Sequence, residues 1–295
     1  MSMATASAVD YGYLRSLVLG HSQNVLDPSR DYLFDSRLAR LLHNLGMSRL
    51  EELVQHLRSR RDPALERAVA EAMTINETSF FRDRLPFELL RTELLPRLME
   101  SRRTARTLRF WSAGCSTGQE ALSLAILIRE HFPQLLHWNI RIEGTDIASE
   151  VVERARAGRY HRIEVNRGLP ARCLLKYFER VGEDWVARNA IRAMCSFRQA
   201  NLCAPGFPFT PRFDVILLRN VMLYFAQETR KTLLDTLFHM TSGDGVLMLG
   251  VGEQATESSR WAPVLAGGTC YYRPAGKGRE QGSGIRDQGS GLERP

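Results

Sequence analysis

A chain of 295 residues, 44% hydrophobic and 25% charged, has the composition of a globular protein long enough for two domains, not of a disordered one. A formal net charge of +7, carried almost wholly by arginine, favours an anionic partner, whether nucleic acid, membrane surface or acidic protein, without choosing among them. No apolar run reaches the roughly 18 residues that cross a bilayer, the N-terminus lacks the basic start and apolar core of a signal peptide, and an odd set of cysteines without CxxC spacing indicates neither a disulfide framework nor a zinc site. The expected location is the cytoplasm, with no membrane insertion.

From Tyr11 to about Met73 the pattern is helical, with Phe34, Leu38, Leu41 and Leu42, then Leu50, Leu53 and Leu57, then Leu65 and Val69 at three- and four-residue steps. This predicts a small all-helical domain over residues 1–85. The helix around Asp35–Gly46 carries Arg37 and Arg40 opposite its apolar stripe, and Arg58 to Arg61 add a basic run. Those arginines are either a solvated face or a surface for an acidic partner.

After Pro86 the period changes. Leu108–Ser112, Ile140–Gly144, Phe213–Leu218, Gly245–Gly250 and Thr269–Arg273 are short β-prone runs, separated by helical stretches around 118–132, 149–157 and 228–241. The alternation predicts an α/β domain over 86–274, a mostly parallel sheet wrapped by helices, with an antiparallel edge hairpin at its end. Between about 161 and 200, three weaker strand patterns near Lys176–Val181, Trp185–Arg188 and Met194–Gln199 suggest a small antiparallel subdomain inserted in the main sheet. Residues 275–295, glycine- and charge-rich, are expected to be disordered.

Four segments carry the chemistry. Trp111-Ser-Ala-Gly-Cys-Ser-Thr-Gly-Gln-Glu120 is a strand, a glycine turn and a helix start, which lets backbone pass close to a ligand at the sheet's C-terminal edge. Its glycine spacing is not GxGxxG, and the next acid at a strand end, Asp146 in Gly144-Thr-Asp146, lies too far on for the dinucleotide fingerprint. Asp146 can accept two ribose hydroxyls or cap the following helix; Glu120 can meet a cationic group or simply favour the helix dipole. Cys115, inside the turn, reads as a packed thiol. The remaining two segments are Thr74-Ile-Asn-Glu-Thr-Ser-Phe-Phe-Arg82, where Phe80 and Phe81 are expected to pack the helical domain on the sheet and present Asn76, Thr78 and Arg82, and Arg219-Asn-Val-Met-Leu-Tyr224, where Phe225 belongs to the core and the Tyr224 hydroxyl faces the site.

Together these motifs resemble the chemotaxis receptor methyltransferases (CheR-type), over about residues 10–273. The resemblance implies a Rossmann-like class I methyltransferase sheet behind an N-terminal all-helical domain. It implies an S-adenosyl-L-methionine-dependent protein-glutamate O-methyltransferase acting on the cytoplasmic helical region of a chemoreceptor. The cofactor residues it implies are Asn76, Thr78, Arg82, Gly114, Glu120, Asp146, Asn201, Leu202, Asn220 and Val221, with Glu120 towards the methionine amino group and the Asn201-Leu202 pair towards the adenine. Arg82 and Tyr224 are the implied catalytic pair. In this family the basic face of the N-terminal helices is implicated in receptor contact, and in some members the small β subdomain docks a receptor pentapeptide. Here the turn Arg180-Val-Gly-Glu-Asp-Trp185 is short, which predicts a tether-independent enzyme. Where the family carries His-Ser-Glu near the last strand, this chain reads Gly250-Val-Gly-Glu253, so loop contacts there are not carried over.

Two other readings compete. A methyltransferase acting on nucleic acid or on a non-chemotaxis protein would suit the basic surface, although no Asn-Pro-Pro-Tyr-type motif is evident. A non-catalytic cofactor-binding regulator would not need Arg82 and Tyr224. No metal is implied, no nucleic-acid partner is expected, and nothing requires more than a monomer.

Overall fold

The structure, a computed structural model, describes residues 9–204 and 212–276. The stretch expected to be disordered lies outside the described residues, apart from the turn at 275–276.

Helices α1 (Tyr11–Ser22), α2 (Tyr32–Asn44), α3 (Leu50–Ser59) and α4 (Pro63–Ala72) bury their apolar stripes in one core around Leu14, Val18, Phe34, Leu38, Leu53 and Val69. Their starts are fixed locally. The Asp10 carboxylate accepts the Tyr13 N–H at 2.9 Å, and Asp62 accepts those of Ala64 and Leu65 ahead of a proline whose missing N–H costs nothing there.

The chain then enters α5 (Leu85–Leu89) and α6 (Leu95–Ser101), joined by a π-helical turn at Leu90–Leu94. The strands are β1 (Thr107–Ala113), β2 (Asn139–Asp146), β3 (Arg159–His161), β4 (Phe178–Val181), β5 (Asp184–Ala187), β6 (Cys195–Gln199), β7 (Phe213–Leu218), β8 (Thr241–Leu249), β9 (Trp261–Ala266) and β10 (Thr269–Pro274). Between them run α7 (Gln119–His131), α8 (Ser149–Ala157), α9 (Arg162–Asn166), α10 (Ala171–Tyr177), α11 (Asn189–Arg192) and α12 (Gln227–Met240).

Seven strands form the main sheet in the order β6-β2-β1-β7-β8-β10-β9, parallel from β6 to β8 and closed by the antiparallel β9–β10 pair. The strand order reverses at β1, flanked by β2 and β7. A crevice therefore opens at the C-terminal ends of these three strands, where α/β sheets of this type bind ligands. Apolar layers on the two faces, one around Phe110, Leu122 and Leu217, the other around Trp111, Ile216 and Leu237, hold the sheet between helices.

The small antiparallel sheet differs from the sequence expectation in its third member. It is β3-β5-β4, whereas the run near Met194–Gln199 pairs in parallel with β2 as an edge of the main sheet. The placement of Phe80 differs too. Its ring, fully buried, meets Tyr160 at 5.2 Å and Phe178 at 5.6 Å edge-on, so it plugs the inserted sheet onto the main one and leaves the helical domain's core separate.

The helical domain is tied to the sheet by polar contacts. At the end of α4, Glu71 accepts the Ser149 N–H and Oγ–H at 2.9 and 2.7 Å and the Gln199 amide at 2.8 Å. Arg40 reaches Glu150 at 2.7 Å, and Arg37 donates to the Met73 carbonyl at 2.8 Å. Two arginines read as an outward basic face are thus engaged within the protein. Asn24 and Phe225 form an antiparallel bridge that brings the segment after α1 against the loop after β7.

Candidate active site

The crevice at the strand ends is a cleft between the two domains. It gathers the cofactor and catalytic residues implied above: Asn76, Thr78 and Arg82 from the segment after α4, Gly114 after β1, Glu120 from α7, Asp146 at the end of β2, Asn201 and Leu202 after β6, and Asn220, Val221 and Tyr224 after β7.

The glycine turn is built by its neighbours. Gly114 sits at φ +79°, and a Cβ there would lie 2.4 Å from Val221 Cγ2, so only glycine lets the turn and the β7 loop close together. Asp146 braces the same turn. One carboxylate oxygen accepts the Ser116 N–H at 2.9 Å and the other the Ala148 N–H at 3.0 Å, while Ser116 Oγ donates to the Asn76 carbonyl at 2.7 Å. Helix α8 begins at Ser149 with Ala148 as its cap residue, so Asp146 is not the helix cap; it joins two loops. Burial raises its pKa above the ordinary aspartate range, against the backbone N–H groups that lower it. Each oxygen keeps a lone pair for a hydroxyl donor. Burial also raises the Cys115 thiol well above its usual pKa, which makes it inert.

Arg219, which the sequence reading quoted within a motif but left out of the site, is central. Its side chain is 2% exposed. It donates to Glu120 at 2.9 Å, to Asp83 at 2.7 Å and to the Arg82 carbonyl at 2.7 Å. Glu120 also accepts Ser112 Oγ–H at 2.7 Å. With two carboxylates around one guanidinium, the cluster keeps one negative charge in excess beside the cleft. Asn220 Oδ1 is buried without a hydrogen-bond partner among the described residues. An orphaned acceptor next to an acidic cluster is a place for a cationic donor.

Arg82 stands on a strained turn. Phe81, Asp83 and Arg84 adopt φ of +50°, +66° and +45°, conformations costing on the order of 1 kcal/mol or more each in non-glycine residues. The turn is over-determined by the buried Phe80 ring, by the Phe81 N–H on Ser123 Oγ at 2.9 Å and by the two Arg219 bonds. Arg82 Nη1 donates to the Glu77 carbonyl at 3.0 Å, leaving the rest of the guanidinium fork along the cleft.

Glu253 was not anticipated either. Its carboxylate, 8% exposed, accepts four backbone N–H groups, from Asn220, Val221, Met222 and Gly250, at 2.6 to 2.8 Å. It holds Asn220 at φ +61° and so shapes the whole β7 loop. The acid stands in the stretch where the sequence departs from His-Ser-Glu, but nothing in that stretch marks its backbone partners in the β7 loop, which lie more than 30 residues earlier. Asn201 turns out to be largely spent on the protein: Nδ2 donates to the His21 carbonyl at 2.8 Å and Oδ1 accepts the Cys203 N–H at 2.9 Å.

Residues 76–269 match the family described as "CheR methyltransferase, SAM binding domain", and residues 10–74 match "CheR methyltransferase, all-alpha domain". The chain belongs to the CheR methyltransferase family. It is 35% identical over 254 residues to Chemotaxis protein methyltransferase 1 of Pseudomonas aeruginosa, covering 84% of this chain and 91% of that one. It is 34% identical to Chemotaxis protein methyltransferase Cher2 of Pseudomonas putida, covering 78% and 84%, and 32% identical to the Chemotaxis protein methyltransferase of Vibrio parahaemolyticus, covering 87% and 93%. This CheR-type chain is therefore a chemotaxis methyltransferase that uses S-adenosylmethionine.

The cleft's donors and acceptors fit that cofactor. The excess negative charge at Glu120 and the orphaned Asn220 oxygen suit an ammonium, Asp146 suits hydroxyl donors, and Leu202 and Ile147 supply apolar lining. Among the described residues no helix is long and apolar enough to cross a membrane, and no His, Cys, Asp and Glu group could hold a metal ion.

Proposed function

We propose that this enzyme esterifies glutamate side chains in the cytoplasmic helical region of a chemoreceptor, acting as a cytoplasmic monomer that needs no receptor tether. What supports the reading most is that Arg82 and Tyr224 line the same cleft as the cofactor-type residues. When bound, S-adenosylmethionine supplies a sulfonium methyl that a carboxylate oxygen takes as the carbon–sulfur bond breaks, its electron pair leaving on sulfur.

The protein's own task is then alignment. A glutamate carboxylate, with an unperturbed pKa of about 4.3, is already an anion at neutral pH and needs no general base. Arg82 orients it with a planar fork, and the Tyr224 hydroxyl donates to the oxygen that does not react. Too tight a grip would stabilise the ground state more than the transition state, which suits an arginine already shared with the Glu77 carbonyl. Asp146 and the Glu120–Arg219–Asn220 cluster fix the cofactor end, and Leu202 helps keep water out. For tether independence, the support is the two-residue turn Gly182-Glu183 between β4 and β5, which leaves little backbone to receive an added peptide.

The test is incubation with methyl-labelled S-adenosylmethionine and a chemoreceptor cytoplasmic fragment lacking any C-terminal pentapeptide. Label released as methanol by mild base is expected. Base-stable label, or none despite calorimetric cofactor binding, would reject carboxyl transfer to this substrate.

A further inference from the structure

We propose that the apolar groove beside Tyr224 seats the helix that presents the acceptor glutamate; this deepens the glutamate-methylation reading and rests on it. The groove lies between the segment after α1 and the loop after β7. It shares Ile75, Tyr224 and Phe225 with the cofactor cleft, so the two are continuous at the catalytic tyrosine.

Its rim is apolar and open. Val25 is 52% exposed, Leu223 44% and Ile75 42%, three large side chains converging on one strip next to an active site. Its floor is built, not incidental: Asn24 and Phe225 pair antiparallel, and the Val25 N–H donates to the Tyr224 carbonyl at 2.8 Å. The groove wall is thus joined to Tyr224 through the main chain.

Geometry then selects the occupant. A helix that lowers one glutamate towards Tyr224 and Arg82 carries its residues three and four positions away about 5 Å along its axis on the same face. Those residues must rest on the rim of the cleft, and on this side the rim is the Val25–Leu223 strip. An amphipathic helix with apolar neighbours at those spacings fits it, in the helix-in-groove manner. Arg30, exposed at the groove's edge, meets acidic residues on the helix flank. Of the arginines first read as the receptor surface, Arg37 lines this groove, so that Arg30 and Arg37 outnumber Asp27 there, while Arg40 and Arg58 form exposed pairs with Glu150 and Asp10.

The experiment compares wild type with Val25→Asp, Leu223→Ser and Arg30→Glu. Methyl transfer to the receptor cytoplasmic fragment is measured as a function of fragment concentration, with calorimetry of S-adenosylhomocysteine as the control for an intact cofactor site. The expected result is a KM for the fragment raised about tenfold by the first two variants and several-fold by the third, kcat within about twofold, and product-analogue affinity unchanged. An active wild type whose KM none of the variants alters overturns the groove alone. A wild type that yields no base-labile ester defeats the glutamate reading and the groove with it. A wild-type dimer that Val25→Asp dissolves would also overturn the proposal, by showing that the strip is covered by a second copy of this chain.

Discussion

Arg82 and Glu253 illustrate two ways in which a single side chain can matter to this site. Arg82 lines the cleft, and its proposed role is to orient the acceptor carboxylate. Arg82→Ala is expected to lower kcat/KM by at least about a hundredfold, and Arg82→Lys to recover only part of it because an ammonium cannot copy the planar fork. Near-normal turnover in Arg82→Ala would remove it from the reaction. Glu253 acts through backbone. In Glu253→Gln an amide group faces four N–H donors, so at least one is left unmatched in a buried loop, at a cost of about 1–3 kcal/mol. Urea denaturation should show that loss, and calorimetry should show about tenfold weaker cofactor binding because Asn220 and Val221 line the cleft. A stability loss with unchanged affinity would restrict Glu253 to the fold. The contrast also marks what the sequence could tell. Arg82 sits in a nine-residue motif, whereas the bonds of Glu253 to Asn220 and Val221 cross more than 30 residues and left no local pattern.

At the scale of elements, the pattern located β1, β2, β7, β8 and β10, β7 and the second half of β8 as continuous apolar runs and β2 by its alternating apolar residues. It assigned β6 to the wrong sheet, since a short half-exposed strand carries no mark of its partner. It missed β9, where Pro263 breaks the β pattern and Leu265 points outward at 84% exposure, both tolerated only at an edge. The cleft depends on how the inserted sheet docks. Gly168, at φ +91°, approaches the Phe80 carbonyl so closely that a Cβ would lie 2.0 Å from it. Gly168→Ala should therefore displace the turn that carries Arg82, lowering both stability and turnover. Gly182→Ala, at φ +66° with open space around it, is the matched control and should cost only about 1 kcal/mol with turnover intact. Equal effects from the two would show that backbone strain alone, and not the Phe80 contact, is responsible.

For the molecule as a whole, stability and function draw on separate charge clusters. Arg102, just after α6 and beside the N-terminal ends of β7 and β8, away from the cleft, donates to Asp214 at 2.8 Å and to Asp244 at 2.5 Å, and Asp214 also accepts the Arg109 N–H at 2.9 Å. Removing the guanidinium strands a nearly buried Asp214 carboxylate, so Arg102→Ala should lose about 3 kcal/mol without changing KM for cofactor. The Arg102 hydrogen bond holds the Asp244 pKa below its usual 3.8. That contribution is complete above the usual value and is lost as pH falls through the lower folded one, so the wild-type advantage at Asp244 should shrink in thermal melts below about pH 4. An advantage that grew on acidification would contradict the assignment. The net charge of +7, legible from the outset, did not reveal this partition, because the sequence counts charges and the fold decides which are cancelled.

The pairing of Asn24 with Phe225 places a limit on modularity. Residues 10–74 and 76–269 correspond to separate family domains, yet one wall of the surroundings of Tyr224 is contributed by the first of them. A chimera that grafts a relative's helical domain onto this catalytic domain would exchange half of that wall while keeping the other half. Transplants that carry Leu223–Phe225 along with the new N-terminal segment should retain turnover better than those cut cleanly at the domain border.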